Sequence, residues 1–364
     1  MPPVEQNKIK RAGIGLRAYD PERAWPGYTL FAPRTGKGIV HLIDMEGTVV
    51  HTWTLPYPAR YGYLTERGTL FFNGQLPNLD FPGRTAQAGV ALEADWDGNI
   101  LFEVRNPDHN HDGIRLRNGN VMLICSAVLP SEIASRVRGG LPRTEHAWGM
   151  DGNYLQEVTV DGQVAWEWRA WEHLDPEEDS IPWPMDLRDS WALANSIAEW
   201  PNGDIMVSFR NISQLITVSR KSGKILWKMG SPPLSGQHAP VPLPNGNLLI
   251  FDNGPHRFDH RWPYSRVLEI VVATKEILWK YEENGVSNFF SPRISNAQRL
   301  PNGNTLINEG WFGRFFEVTG TGEVVWEYVN PYFKDSPQGV QNHVFRAYRY
   351  SAEEIARATT GVAR

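Results

Sequence analysis

The chain has 364 residues, with 41 acidic and 36 basic side chains, a net charge of −5, ten histidines and a single cysteine. At 41% hydrophobic and 21% charged residues it can bury a sizeable core, which excludes a disordered chain. No basic run offers a footprint for nucleic acid or an anionic membrane, and no apolar stretch approaches the ~20 residues that cross a bilayer. The first residues lack the apolar core of a signal peptide, and Cys125 has no partner in the chain for a disulfide. A reducing compartment, the cytoplasm, is therefore the expected location.

Residues 1–27 read as an N-terminal arm. Strand-like runs begin at Tyr28–Pro33, Val40–Asp44 and Val49–Trp53, and from there two signatures alternate along the chain. The first is a turn: Glu66-Arg67-Gly68-Thr69 in degenerate form, then Arg117-Asn118-Gly119-Asn120, Pro201-Asn202-Gly203-Asp204, Pro244-Asn245-Gly246-Asn247 and Pro301-Asn302-Gly303-Asn304. Asn-Gly between β-rich runs predicts hairpins with type I′ turns, since both residues tolerate positive φ. The second is Gly-x-β-β-Trp, at Gly162–Trp166, Gly223–Trp227 and Gly322–Trp326, with weaker copies ending at His51, Phe102 and Trp279. These tryptophans are expected in the core, facing the neighbouring repeat.

Further strand-like runs lie between the signatures, at Tyr154–Val160, Gln214–Ser219 and Phe315–Thr319. Each unit thus reads as strand A, the Asn-Gly turn, strands B and C, a second turn, and strand D. Four antiparallel strands repeated six times predict an all-β, six-bladed β-propeller over 28–350. Two separate sandwiches would not give one common unit. The first blade lacks its own strand A, which His343–Tyr350 can supply, closing the ring and removing its open edges. Cutting the chain before His343 is therefore expected to unfold it. A short amphipathic stretch falls at Ser351–Thr360, in a tail of residues 351–364. The long excursions Ser126–Met150 and Trp171–Asp189 are expected as loops on one face, walling a pocket.

Strand A lines the channel of a propeller. Eight residues back from each turn glycine stand Arg60, His111, Asn195, His238 and Ser295, with His343 opening the closing strand. Tyr61, Asn110, Asp112, Ser196, Gln237 and Asn296 share that register. The ends of strand B return to the same mouth and bring Arg210, Asn211, Asn253 and Trp311. The set suits a polar ligand at the axis. Imidazole serves as base, acid or nucleophile, and guanidinium offers a fixed fork to an anion. Asp112, next in sequence to His111, is a candidate to orient it. His41, His51, His146, His173, His256 and His260 read as surface or loop residues without a catalytic role. Asp95-x-Asp97-Gly98-Asn99 is better explained as the turn before a strand D than as a calcium loop.

The segments Gln237-His-Ala-x-x-x-Leu-Pro-Asn-Gly-Asn, Phe251-Asp-Asn-Gly, Asn195-Ser-Ile, Ser208-Phe-Arg, Ala297-Gln-Arg-Leu-Pro-Asn-Gly-Asn-Thr-Leu and Val344-Phe-Arg-Ala-Tyr-Arg-Tyr resemble the arylsulfotransferase family over roughly Tyr28 to Tyr350. The resemblance implies a six-bladed propeller that moves sulfate between phenols through a histidine, without a nucleotide donor. By motif His238 matches the nucleophile, His111 a second active-site histidine and Arg210 a sulfate-binding arginine. Leu193 stands where the family carries a further histidine, and one cysteine cannot form the disulfide of periplasmic members. The loss of that cationic group implies weaker stabilisation of a sulfuryl group.

The expected activity is therefore arylsulfotransferase-like, on a small phenolic substrate and without a cofactor. Catalysis falls to His238, His111 and Arg210, and substrate binding to Arg60, Tyr61, Asn195, Asn253, His343 and Trp311. Leu193 and the cytoplasmic reading favour the alternative, a lyase cleaving a C–C or C–O bond beside an aromatic ring with the same acid–base set. Two further readings are weaker. His111, His238 and His343 around one axis suit a transition metal, but repetition alone accounts for their spacing, so no metal is expected. A pure binding module would need axial polarity only as channel lining.

Overall fold

Six four-stranded antiparallel sheets follow one another along the chain, their strands in sequence order except where the ring closes, as the repeats require. The structure is a computed structural model that describes the chain apart from residues 1–3, 5, 7–12, 78–83, 284, 286–287, 337–338 and 361–364. Blade 1 has the order Val344–Tyr350, Tyr28–Pro33, Gly38–Ile43, Val49–Leu55, so the far end of the chain supplies its innermost strand. Blades 2 to 5 are continuous, with A strands at Ala59–Leu64, His109–Arg115, Ala194–Glu199 and His238–Pro242. Blade 6 starts with Asn296–Arg299 and carries a fifth strand: Gly15–Tyr19, from the expected N-terminal arm, pairs with Val324–Val329 on its outer edge. That strand covers an edge that would otherwise stay unpaired.

The Asn-Gly turns hold the A–B hairpins, in a geometry other than type I′. Only the glycines have positive φ (Gly119 at 88°, Gly203 at 86°, Gly246 at 83°, Gly303 at 87°). Gly119 N–H donates to Leu116 O, and Leu116 N–H donates to Asn120 O. This is a type I turn closed by a left-handed glycine bulge, which needs one left-handed residue instead of two. The adjacent asparagines find other work: Asn118 and Asn120 both donate to the Glu157 carboxylate on strand C, as Asn245 and Asn247 do to Glu269.

Blades are joined by a repeated indole contact. Trp53, Trp168, Trp227, Trp279 and Trp326 each donate their ring N–H to a backbone carbonyl in the turn before strand D of the next blade, and Trp326 closes the circle onto Met45. In blade 3 the joining residue is Trp168, not Trp166 of the repeat; blade 2 carries Phe102, which has no N–H to give. A second link is ionic: Arg115–Glu93, Arg299–Glu269 and Arg349–Glu317 run from the A strand of one blade to the C strand of the one before.

Beyond the propeller, Ser351 and Glu354 form a reciprocal capping box on the helix Ala352–Thr360, where the sequence places its amphipathic stretch. The two blade 3 excursions pair with each other through Gly139 with Ile181 and Leu141 with Leu187. No helix among the described residues is long and apolar enough to cross a membrane.

Candidate active site

The A strands are irregular where they meet the axis. In blades 1 to 5 the pairing of A with B slips at that end: between Ala59 and Tyr61, His109 and Gly113, Ala194 and Ser196, His238 and Val241, and Val344 and Ala347. A bulge leaves an extra residue free to turn out of the ladder. Arg60, His111 and Asn195 sit in these slips and His238 borders one. His111 and Ala239 are held at φ 49° and 50°, a conformation that costs a non-glycine residue about 1–2 kcal/mol and accumulates at functional sites.

His238 is the best-defined group. Asn253, on the end of the neighbouring B strand, donates its amide N–H groups to Ser291 O (2.7 Å) and Ile294 O (3.0 Å), which turns its carbonyl oxygen toward the ring. His238 Nδ1 therefore carries the proton, donating to Asn253 Oδ1 at 2.8 Å with Gly236 O also in range at 3.2 Å. Nε2 holds the lone pair and accepts the Ile294 backbone N–H at 3.2 Å. Burial, supported by the nearby charges of Arg210 and Arg346, pushes its pKa down to about 3 against the hydrogen bond to Asn253. At neutral pH the ring is uncharged, as a nucleophile or base must be.

His111 is buried within reach of His238 and of the charges on Arg60, Arg210 and Arg34. Burial first, and those groups after it, hold its pKa well below the usual histidine range. Among the described residues its ring hydrogen-bonds only to Asn110 Oδ1, at 3.4 Å. Asp112 does not orient it: that carboxylate accepts the Tyr61 hydroxyl, the Ile197 N–H (2.9 Å) and Arg346 (2.6 Å). Tyr61 lies wholly buried under the Arg346 guanidinium, 4.4 Å from it. Tyr61, Asp112 and Arg346 thus form one buried unit of the channel. Asn195 is also fully buried; its amide donates to Gln237 O (2.7 Å) and its carbonyl oxygen has no partner among the described residues.

Arg210 follows its B strand into the mouth, where its backbone N–H donates to Leu193 O (2.9 Å). Its side chain donates to Asn211 Oδ1 (2.9 Å) and lies 3.7 Å from Asp186, and its buried Nε has no partner among the described residues. His256, expected on the surface, belongs to the same cluster and is buried, its Nε2 3.0 Å from Asp186 and its ring stacked on Trp183. Trp183 and Asp186 come from the second blade 3 excursion, so that loop does wall the mouth near Arg210. His41 is another correction: it is buried in strand Gly38–Ile43 against Thr52 and Tyr332.

On the opposite side stand Arg60, held on Gln87 O, and His343, its ring tilted against Trp311 with centroids 4.1 Å apart. Burial and the charge of Arg34 lower Arg60 to about 9 and His343 to about 4. Arg34 is absent from the residues that the sequence picks out, yet it follows the first B strand directly, the position that Arg210 holds in blade 4. No group of three His, Cys, Asp or Glu among the described residues is arranged to hold a metal, the three axial histidines included.

The depressed imidazoles link stability to pH. In the unfolded chain His111, His238 and His343 titrate near their ordinary value of about 6.5, whereas in the folded chain all three stay neutral to lower pH. Unfolding therefore takes up protons below that value, and native stability falls as pH drops from ~6.5 toward ~4, by about 1.4 kcal/mol per pH unit for each imidazole. Urea unfolding at pH 7, 6 and 5 should show this decline, and His343→Phe should flatten it by about one proton. A slope unchanged in that variant would contradict the assignment.

Fold and site together define a propeller whose imidazoles and guanidinium groups gather at one mouth of the axis. The arylsulfotransferase (ASST) family model matches residues 89–331, the larger part of the chain, and the chain belongs to this family. Among solved structures it is similar to a protein of unknown function from Bacteroides caccae (13% identity, 89% of this chain and 99% of that one, TM-score 0.56). It is also similar to Kuenenia stuttgartiensis hydrazine synthase (10%, 89% and 95%, 0.50) and to a streptogramin B lyase (11%, 95% and 96%, 0.49). At such identities the likeness is one of fold alone. No curated protein matches the sequence.

Proposed function

We propose that this protein transfers a sulfuryl group between small phenols through His238. The observation that carries the reading is a neutral, buried imidazole whose Nδ1 is fixed on Asn253, so that Nε2 carries the lone pair, within the electrostatic reach of an Arg210 guanidinium whose Nε has no partner among the described residues.

In the first half-reaction Nε2 attacks the sulfur of an aryl sulfate. The N–S bond forms, the S–O bond to the ring breaks, and its electron pair leaves on the phenolate oxygen, which takes a proton from water. The positive charge on the sulfated ring is shared through Nδ1–H with Asn253 Oδ1. Arg210 binds the sulfuryl oxygens, and His111, also neutral, offers a ring N–H to the same group. Attack requires the Ile294 N–H to leave Nε2, at a cost of about 1 kcal/mol. An acceptor phenol then attacks sulfur, the N–S bond breaks, and the phenolic proton passes to solvent. Arg60, Asn195, His343 and Trp311 wall the mouth, whereas Asn253 and Tyr61 act from behind, on His238 and Asp112.

Intact-protein mass spectrometry after mixing with 4-nitrophenyl sulfate tests this. One added sulfuryl group, together with released nitrophenol and absent in His238→Ala, is expected. Folded protein that gives neither adduct nor phenol would overturn it. The two neutral imidazoles would then serve proton transfer, and cleavage of unsulfated aromatics would be the reaction to assay.

A further inference from the structure

Blades 1 and 4 stand opposite each other in a six-bladed ring, and each sends an arginine from the end of its B strand: Arg34 after Tyr28–Pro33, Arg210 after Ile205–Phe209. Blades 2 and 5 are also opposite, with Arg60 in the A strand of one and His238 opening that of the other. The mouth therefore has two cationic poles across the axis, in a chain whose net charge is −5.

The poles differ in how they are balanced. Arg210 has the Asp186 carboxylate at 3.7 Å. Arg60 is buried with a single backbone carbonyl, Gln87 O, as its partner among the described residues. The Arg34 side chain has no hydrogen-bond or ion-pair partner among the described residues, although its charge reaches Arg60, His111 and His343. Its backbone N–H donates to His343 O at 3.0 Å, which sets it beside the His343–Trp311 ring pair. A buried Arg60 guanidinium and a half-buried Arg34 guanidinium, with no carboxylate among the described residues to balance them, are costly until an anion joins them. Burial and mutual repulsion work against the charge on Arg60. Arg34, Arg60 and His343 all lie outside the stretch matched by the family model.

We propose that Arg34 and Arg60 form an anion subsite for the carboxylate of a phenolic acid, with the aromatic ring against Trp311 and His343 and the hydroxyl toward His238. The forked guanidinium matches a planar carboxylate. The direction of the hydroxyl rests on the proposed function; carboxylate capture does not.

Calorimetric titration of the full chain at pH 7 with 4-hydroxybenzoate and with 4-hydroxybenzyl alcohol, which keeps the ring and phenol but carries no charge, tests the subsite. The acid should bind at least about tenfold tighter. Arg34→Gln should remove most of that preference and Arg34→Lys retain part of it, both with an unchanged circular dichroism spectrum. Equal affinity for acid and alcohol, no binding of either, or a preference that survives Arg34→Gln overturns the proposal. Saturating inorganic sulfate, directed to Arg210, should leave the preference in place; its loss would put both anions on one pole and overturn it too. A carboxylate preference without any sulfuryl adduct would refute the transfer chemistry and keep the subsite.

Discussion

A chain ending at residue 342 should fail to fold, whereas one ending at Ser351 should keep a cooperative transition close to that of the full chain. The first cut removes Val344–Tyr350, the innermost strand of blade 1, along with the buried Val344, Phe345, Ala347 and Tyr350. It also strips two carboxylates of their partners: Glu317 loses Arg349, both fully buried, and Asp112 loses Arg346. Removing one member of a buried pair costs about 3–5 kcal/mol, and each large apolar side chain about 1.5–3 kcal/mol more. The sum, about 10–19 kcal/mol, reaches or exceeds the ~5–15 kcal/mol that holds a typical domain together. The second cut takes residues 352–364, of which the helix Ala352–Thr360 has one buried side chain, Ala358. Thermal melts followed by circular dichroism separate the two, and Arg349→Ala alone should lower stability by about 3–5 kcal/mol. A cooperative melt from the chain ending at residue 342 would show that the ring does not depend on its closing strand.

Repetition makes most of this fold legible. A turn glycine that recurs at the same place in each blade carries the register of its A strand with it. Counting back from it gathers Arg60, His111, Asn195 and His238 at one mouth from the order of residues alone. What repetition does not encode is harder to read. Turn type depends on one residue's φ, and Asn-Gly allows both the type I′ turn and the glycine bulge that is found. Asp112 neighbours His111 in sequence but belongs to Tyr61, Ile197 and Arg346, a link made across blades. His256 and Asp186 lie in loops whose course no periodicity describes. Arg34 is within reach of the same logic, because the rule that places Arg210 at the end of its B strand applies equally to the B strand ending at Pro33.

Asn253→Ala should lower the rate of the proposed sulfuryl transfer by roughly 10²–10³-fold while changing KM for the aryl sulfate far less. The side chain has no route to the substrate except through His238: its carbonyl oxygen takes the Nδ1 proton, and its amide is held by Ser291 O and Ile294 O. Without it, Gly236 O at 3.2 Å is the remaining acceptor for Nδ1–H, so the ring can turn or place its proton on Nε2. A protonated Nε2 has no lone pair for sulfur, and a wrong tautomer in a comparable site costs up to ~10⁴ in kcat. The freed Ser291 and Ile294 carbonyls add a stability loss of about 1–3 kcal/mol, which leaves the protein folded. Nitrogen NMR of labelled histidine gives a readout independent of turnover: one Nδ1–H tautomer for His238 in the parent, and a mixture in the variant. Asn253→Asp keeps an acceptor on Nδ1 and should preserve that tautomer, at a raised imidazole pKa because a carboxylate favours the charged ring. Transfer in Asn253→Asp should then lose activity as pH falls, at a higher pH than in the parent. Equal rates in parent and Asn253→Ala would remove Asn253 from the mechanism and leave the Ile294 N–H as the group that sets the tautomer.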